Sequence, residues 1–301
     1  MHNARLVIVF FLIAMPASIL SAAEGKFERT FTASPGGTLV LKTDVGEVFI
    51  TGTASNEISI LAAWRGSAKE VEDFGISARQ TENVVEVTGK GRSRSWWSWG
   101  FDDLEVRVTV QVPEKHDLDI STAGGNDSAQ NVKGRITVET SGGDILLKKL
   151  DGRIMVGTSG GDIRAEDVAG NLKAETSGGD VVISGAKGDV EAGTSGGDIR
   201  ISGGDGNVRA ETSGGDIVVV LSGQNKGIIA ETSGGDIDIV IGNDVRANID
   251  ASTSGGSVTC QLPITLSGAI DESEVRGTLN GGGEMIWAHT SGGDVRIKNR
   301  P

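Results

Sequence analysis

The chain has 301 residues and carries 28 Lys and Arg against 41 Asp and Glu, a formal net charge of −13. That balance disfavours nucleic acid and anionic lipid as partners and suits cations, basic proteins or neutral glycans. With 46 Gly, no Tyr and 4% aromatic residues, the chain lacks the large side chains of a thick globular core, and without a G-X-Y period it is not collagen.

Residues 1–23 read as a secretory signal peptide. Arg5 gives a positive start, the stretch from Leu6 to about Leu20 is apolar, and Ser21-Ala22-Ala23 is a small-residue cleavage site. The mature chain is then exported, to the periplasm or the exterior, with 27 basic residues against 41 acidic ones and no later stretch that could span a bilayer as a helix. Cys260 is the single cysteine, so an exported fold of this kind uses no internal disulfide. Val258 and Cys260 fall where other segments carry two inward apolar residues, which makes Cys260 a small buried hydrophobe.

Residues 24–121 are expected to form an irregular, β-rich N-terminal cap with degenerate coils. Alternation marks strands in GGTLVLKTDVGEVFITG (36–52), NEISILAAW (56–64), NVVEVTG (83–89) and LEVRVTVQVP (104–113). SAKEVEDFG (67–75) adds a helical turn. Between two of these strands, RSRSWWSWGFDD (92–103) places Trp96, Trp97 and Trp99 in a hairpin loop. Adjacent loop aromatics either contact a partner, a sugar face or a membrane interface, or fold back over the end of the cap.

From 122 to 301 the chain repeats. The Thr of TSGGD recurs at Thr140, Thr158, Thr176, Thr194, Thr212, Thr232 and Thr290, with TAGGN at Thr122 and TSGGS at Thr253; from Thr122 to Thr212 every interval is 18 residues. A fixed period of this size marks a solenoid. Each unit divides into two nonapeptides with Gly at the fourth place, Asp or Asn at the fifth and apolar residues at the sixth and eighth, as in TSGGDIRIS and GGDGNVRAE (194–211). Two inward-facing strands per coil give an all-β parallel β-solenoid with 18-residue coils, in which Ile163, Val181 and Ile199 lie side by side. The motif is the corner, where its glycines supply the positive φ of a tight turn.

Stacking puts Asp144, Asp162, Asp180, Asp198, Asp216 and Asp236 in a column. Neighbours ~4.8 Å apart repel by roughly 0.9 kcal/mol in water. The column needs hydrogen bonds from corner N–H groups, a basic neighbour or a cation, and local hydrogen bonding is the main expectation, with hydroxyls such as those of Thr140 and Ser141 contributing. A calcium nonapeptide of the GGxGxDxUx type is not matched, because Val208, Ile136, Ile154, Leu172 and Val190 stand where its ligand Asp belongs.

No cofactor motif appears, and the three histidines, His2, His116 and His289, do not cluster in the sequence. Catalysis needs one site where this chain offers many equivalent corners, so the motif serines are not read as nucleophiles. The break at 261–289 is the largest irregularity, with Asp271, Glu272, Glu274 and Arg276 in it; after it one more motif closes the solenoid, His289 replacing the Glu found before other motifs.

The opening GGTLVLKTDVGEVFITG, the passage VTVQVPEKHDLDISTAGG, the TSGGDI repeats and the closing GTLNGGGEMIWAHTSGGDVRI together resemble the bacterial putative-adhesin family of β-strand-repeat proteins, a domain of unknown function, from about Phe27 to Lys298. The resemblance implies an exported β-solenoid and supplies no catalytic or binding residues. The reading is a non-enzymatic adhesion or interaction module for an envelope or extracellular protein or glycan. The alternatives are a polysaccharide-active β-helix enzyme and a calcium-stabilised repeat.

Overall fold

The computed structural model describes residues 23–91, 104–267 and 271–300. Two long sheets, of 13 and 14 strands, face each other across a thin apolar core. Each regular coil gives one strand to each sheet. Lys133–Thr140, Asp151–Thr158 and Ala169–Glu175 stack in parallel in the 14-stranded sheet, and Ile145–Lys148, Ile163–Glu166 and Val181–Ala186 do so in the 13-stranded one. Ile163 pairs with Val181 and Val181 with Ile199, and all three are fully buried. Burying each such side chain contributes about 1.5–3 kcal/mol, and the period of 18 repeats that contribution at the same height in every coil.

The N-terminal segments continue the same stack. Thr38–Thr43 lies parallel between Val84–Lys90 and Asp117–Thr122, and Glu47–Thr53 lies parallel between Glu105–Pro113 and Asp127–Gln130. Antiparallel strands then cover the end: Gly75–Thr81 on one sheet, Glu57–Gly66 and Ala23–Thr32 on the other. The helical turn is Ala68–Asp73, started by a Ser67–Glu70 capping box. Trp64 packs edge-on to Phe74 at 5.2 Å and donates its indole N–H to Val71 O.

At the other end, chain order and spatial order diverge. The last motif does not close the rod. Strands Met285–Thr290 and Val295–Asn299 slot between the coil of Ile228–Thr232 and Ile237–Ile241 and the coil of Ala247–Thr253 and Val258–Cys260. Glu274–Leu279 and Ile264–Leu266 then add antiparallel strands outside Ala247–Thr253. Ending the 14-stranded sheet in antiparallel strands keeps the next parallel position from standing open, the risk of any bare solenoid end.

The corner works differently from the turn expected of its glycines. Left-handed backbone occurs at the opposite corner, at Gly152 (φ 125°), Gly170 (φ 101°) and Gly188 (φ 148°), whereas Gly160, Gly161, Gly178 and Gly179 of the motif lack it. The second motif glycine is required by close approach instead. A Cβ on Gly179 would sit 2.1 Å from Gly161 O of the preceding coil, while one on Gly178 would meet nothing closer than 3.6 Å.

Candidate functional site

Three features bear on function: the corner column, a junction coil with buried ionisable groups, and the outer face of the 14-stranded sheet. In the column, each Asp accepts through Oδ1 from the amide of the next motif Asp: Asp162 N to Asp144, Asp180 N to Asp162 and Asp198 N to Asp180, at 2.8–2.9 Å. The ladder follows space rather than sequence, running from Asp236 to the Asp294 amide and from Asp294 to the Ser257 amide. Asn126 begins it, accepting from the Asp144 amide. Ser257 ends it, and as the last member it needs no acceptor for a following coil. The carboxylates of Asp236 and Asp294 are held below their ordinary range, first by those backbone amides; Arg296 then helps at Asp236 and the Ser257 hydroxyl at Asp294.

The motif threonines are committed as well. Thr176 Oγ1 donates to Gly161 O at 2.9 Å and accepts from the Gly179 amide, and Thr158, Thr194 and Thr212 repeat the arrangement. Ser159, Ser177 and Ser195 are exposed. The Asp Oδ1 atoms and the Thr hydroxyls of these corners are thus engaged in hydrogen bonds between coils.

The junction coil breaks this pattern. Asp127 occupies the inward position taken by Val48 on one side and Ile145 on the other. It is 2% exposed and accepts from Thr122 Oγ1 at 2.8 Å through Oδ2. Its Oδ1 and the nearby Thr140 Oγ1 are buried without partners among the described residues. Burial pushes the carboxyl up to about 7, against a smaller opposing pull from Thr122. His116, at the start of the same coil, is 1% exposed with both ring nitrogens unpartnered among the described residues. Burial lowers its pKa, partly offset by Asp117.

The outer face of the 14-stranded sheet carries a trough of ≈ 850 Å³ running along the rod. Its floor is low because the corner glycines Gly152 and Gly170 have no side chains and Asn171, Asp189 and Asn207 have short ones. One wall is the outward column Met155, Lys173, Glu191, Arg209 and Ile229, successive partners in the parallel ladder. Lys226, Glu284 and Met285 complete the far end. Lys173 pairs with Glu175 and Glu191, and Arg209 with Glu211. Arg153, Asn171 and Lys226 make no side-chain hydrogen bond or ion pair among the described residues. Met155 (41%), Ile229 (37%) and Met285 (46%) are exposed apolar groups at the two ends.

Beyond Ile229 the column continues with Trp287 and Asp250, and here the break in the repeat gathers unlike residues. His289 Nδ1 lies 2.8 Å from Ser252 Oγ, and Nε2 lies 3.5 Å from Asp250 Oδ1. Trp287 stacks on His289 at 4.0 Å with a 17° interplanar angle. Arg276 reaches Asp250 at 3.4 Å and Glu274 at 2.7 Å. Hydroxyl, imidazole and carboxylate stand together, but strand Ala247–Thr253 is paired on both sides and the Thr253 amide donates to Ser273 O. Its amides are spent on ladders, so among the described residues this strand offers no free backbone N–H beside Ser252.

Of the residues singled out in the sequence, Glu274 and Arg276 join this patch, while Asp271 caps its own turn by accepting from the Ser273 amide. Trp96, Trp97 and Trp99 lie outside the described residues. Cys260 is half-buried against Leu262 O, and burial raises its thiol. Among the described residues no group of His, Cys, Asp and Glu is arranged to hold a metal, and no helix is long and apolar enough to cross a membrane.

A family model described as Toastrack DUF4097 matches residues 37–298. The sequence matches no curated protein. Among solved structures, the chain is similar to a putative adhesin of Bacteroides fragilis at 15% identity, covering 92% of this chain and 97% of that one with a TM-score of 0.43. It is similar to a putative lipid binding protein of Parabacteroides distasonis at 12% identity, with 90% and 96% coverage and a TM-score of 0.43. A putative adhesin of the same species aligns at 11% identity, with 91% and 97% coverage and a TM-score of 0.37.

Proposed function

The chain belongs to the Toastrack DUF4097 family, and from that premise we propose that it is an exported, non-enzymatic interaction or adhesion module that meets its partner on the outer face of the 14-stranded sheet. One observation carries the reading. On this face Arg153, Asn171 and Lys226 have no side-chain partners among the described residues around a trough, whereas the corner column spends its polar groups on the fold. The apolar start of the chain supports export, to the periplasm or beyond, and the partner is an envelope or extracellular protein or glycan. The acidic net charge argues against nucleic acid.

Purified mature protein should bind envelope material from its source organism saturably, with unlabelled protein competing. It should turn over nothing in a polysaccharide-degradation panel. Turnover, or binding that never saturates, overturns the reading.

A further inference from the structure

We propose that the trough receives a linear glycan laid along the solenoid axis, an inference that rests on the outer face of the 14-stranded sheet being the contact surface. The trough spans the strands from Asp151–Thr158 to Met285–Thr290, five inter-strand steps, or ~24 Å at ~4.8 Å per step. A site this long and open fits a chain rather than a compact ligand. Along its floor the short polar residues Asn171, Asp189 and Asn207 recur one coil apart, and a polymer of equal units can follow such a row.

The chemistry of the lining selects among polymers. Cations and anions are mixed, Arg153, Lys173 and Arg209 lining the trough together with Asp189 and Glu191, so no polyanion is favoured and a nucleic acid strand is disfavoured. An extended peptide that binds by strand addition needs a free sheet edge, and the strands beside the trough, such as Ala169–Glu175 and Val190–Gly193, are paired on both sides. A lipid tail needs a dry apolar channel, whereas this floor is Asn171, Asp189 and Asn207.

Sugar hydroxyls donate and accept at once. The floor matches them with the uncommitted amide of Asn171 and the uncommitted donors of Arg153 and Lys226. The apolar faces of sugar rings match Met155 at one end and Ile229 and Met285 at the other. Trp287 adjoins Ile229 in the next strand, and an indole with Asp250 and Arg276 close by extends the surface with an apolar ring and polar neighbours.

The test uses the full mature protein and a glycan array of linear β-linked hexose and amino-sugar oligomers of graded length. Affinity should rise with oligomer length and level off once the trough is filled. Asn171→Trp, which fills the floor from an exposed position, should weaken binding at least tenfold, as should the pair Arg153→Ala and Lys226→Ala. Leu146→Trp, on the outer face of the other sheet, should leave binding unchanged, and melting curves should show all variants folded. Glycan binding that survives both trough variants overturns the inference and leaves the module reading standing. So does saturable binding of envelope protein with no glycan bound. Absence of saturable binding to either class overturns both.

Discussion

The backbone amide of Asp180 donates to Asp162 Oδ1 across 2.8 Å, from one coil to the one before it. The motif Asp thus serves the next coil as a backbone acceptor through Oδ1, while Arg200 and Arg296 pair with the Oδ2 atoms of Asp198 and Asp236. Asn126, whose amide oxygen does the same for Asp144, shows that the negative charge is dispensable. Asp180→Asn should therefore preserve stability or raise it slightly, because it keeps the acceptor and removes a repulsion of roughly 0.9 kcal/mol with each of its two neighbours, Asp162 and Asp198. Asp180→Ala should cost about 1–3 kcal/mol, since the Asp198 amide loses its partner. Urea unfolding of the two variants side by side checks the difference.

The two glycines of one corner should behave differently. Gly178→Ala meets only ordinary contacts, whereas Gly179→Ala puts a Cβ 2.1 Å from Gly161 O, a clash with backbone that no side chain can relieve. The expected outcome is a near-neutral first substitution and a loss of several degrees or more in melting temperature for the second. Equal effects would count against close approach as the reason for the glycine.

Asp127 gives stability an unusual dependence on pH. Its folded carboxyl titrates at about 7 rather than 3.8, so the folded state holds the proton more tightly than the unfolded one. That advantage is fully present below the unfolded value, declines as pH rises through the interval and is gone above about 7; a shift of this size is worth roughly 4 kcal/mol at most. Asp127→Asn keeps an acceptor for Thr122 and cannot ionise. Its melting temperature should exceed the parent's at pH 8 and approach it at pH 5, measured by calorimetry across that range.

Calcium should make no difference to the corners, whose Asp Oδ1 atoms already accept backbone amides. Melting temperatures in chelator and in millimolar calcium should coincide. A rise of several degrees with calcium would place a cation on the column.

The fold was legible because one inward pair recurs every 18 residues: Ile163 and Ala165, Val181 and Ile183, Ile199 and Ile201 are all buried where alternation places them. The role of the second motif glycine was not, since close approach to the preceding coil is a property of stacking and leaves no local mark. TAGGN and TSGGS were visible as variants, but their meaning as the first and last members of a ladder depends on knowing that the last coil is inserted. That insertion also hid the patch. Ser252 and His289 are 37 residues apart and adjacent in space, and only His289 stood out, as a departure from Glu. The row Asn171, Asp189 and Asn207 carries its own signal, an 18-residue spacing of short polar residues just before each inward pair, which attention to the core alone passes over.

Spin labels on the outward column of the 13-stranded sheet test the stacking most directly. Leu146, Arg164, Val182, Arg200, Val218 and Asp238 are successive ladder partners. Distances from a label at 146 to labels at 200 and 238 should therefore differ by two steps of ~4.8 Å, although 38 further residues intervene. Equal separations, or a gap much larger than that increment, would contradict one coil per repeat.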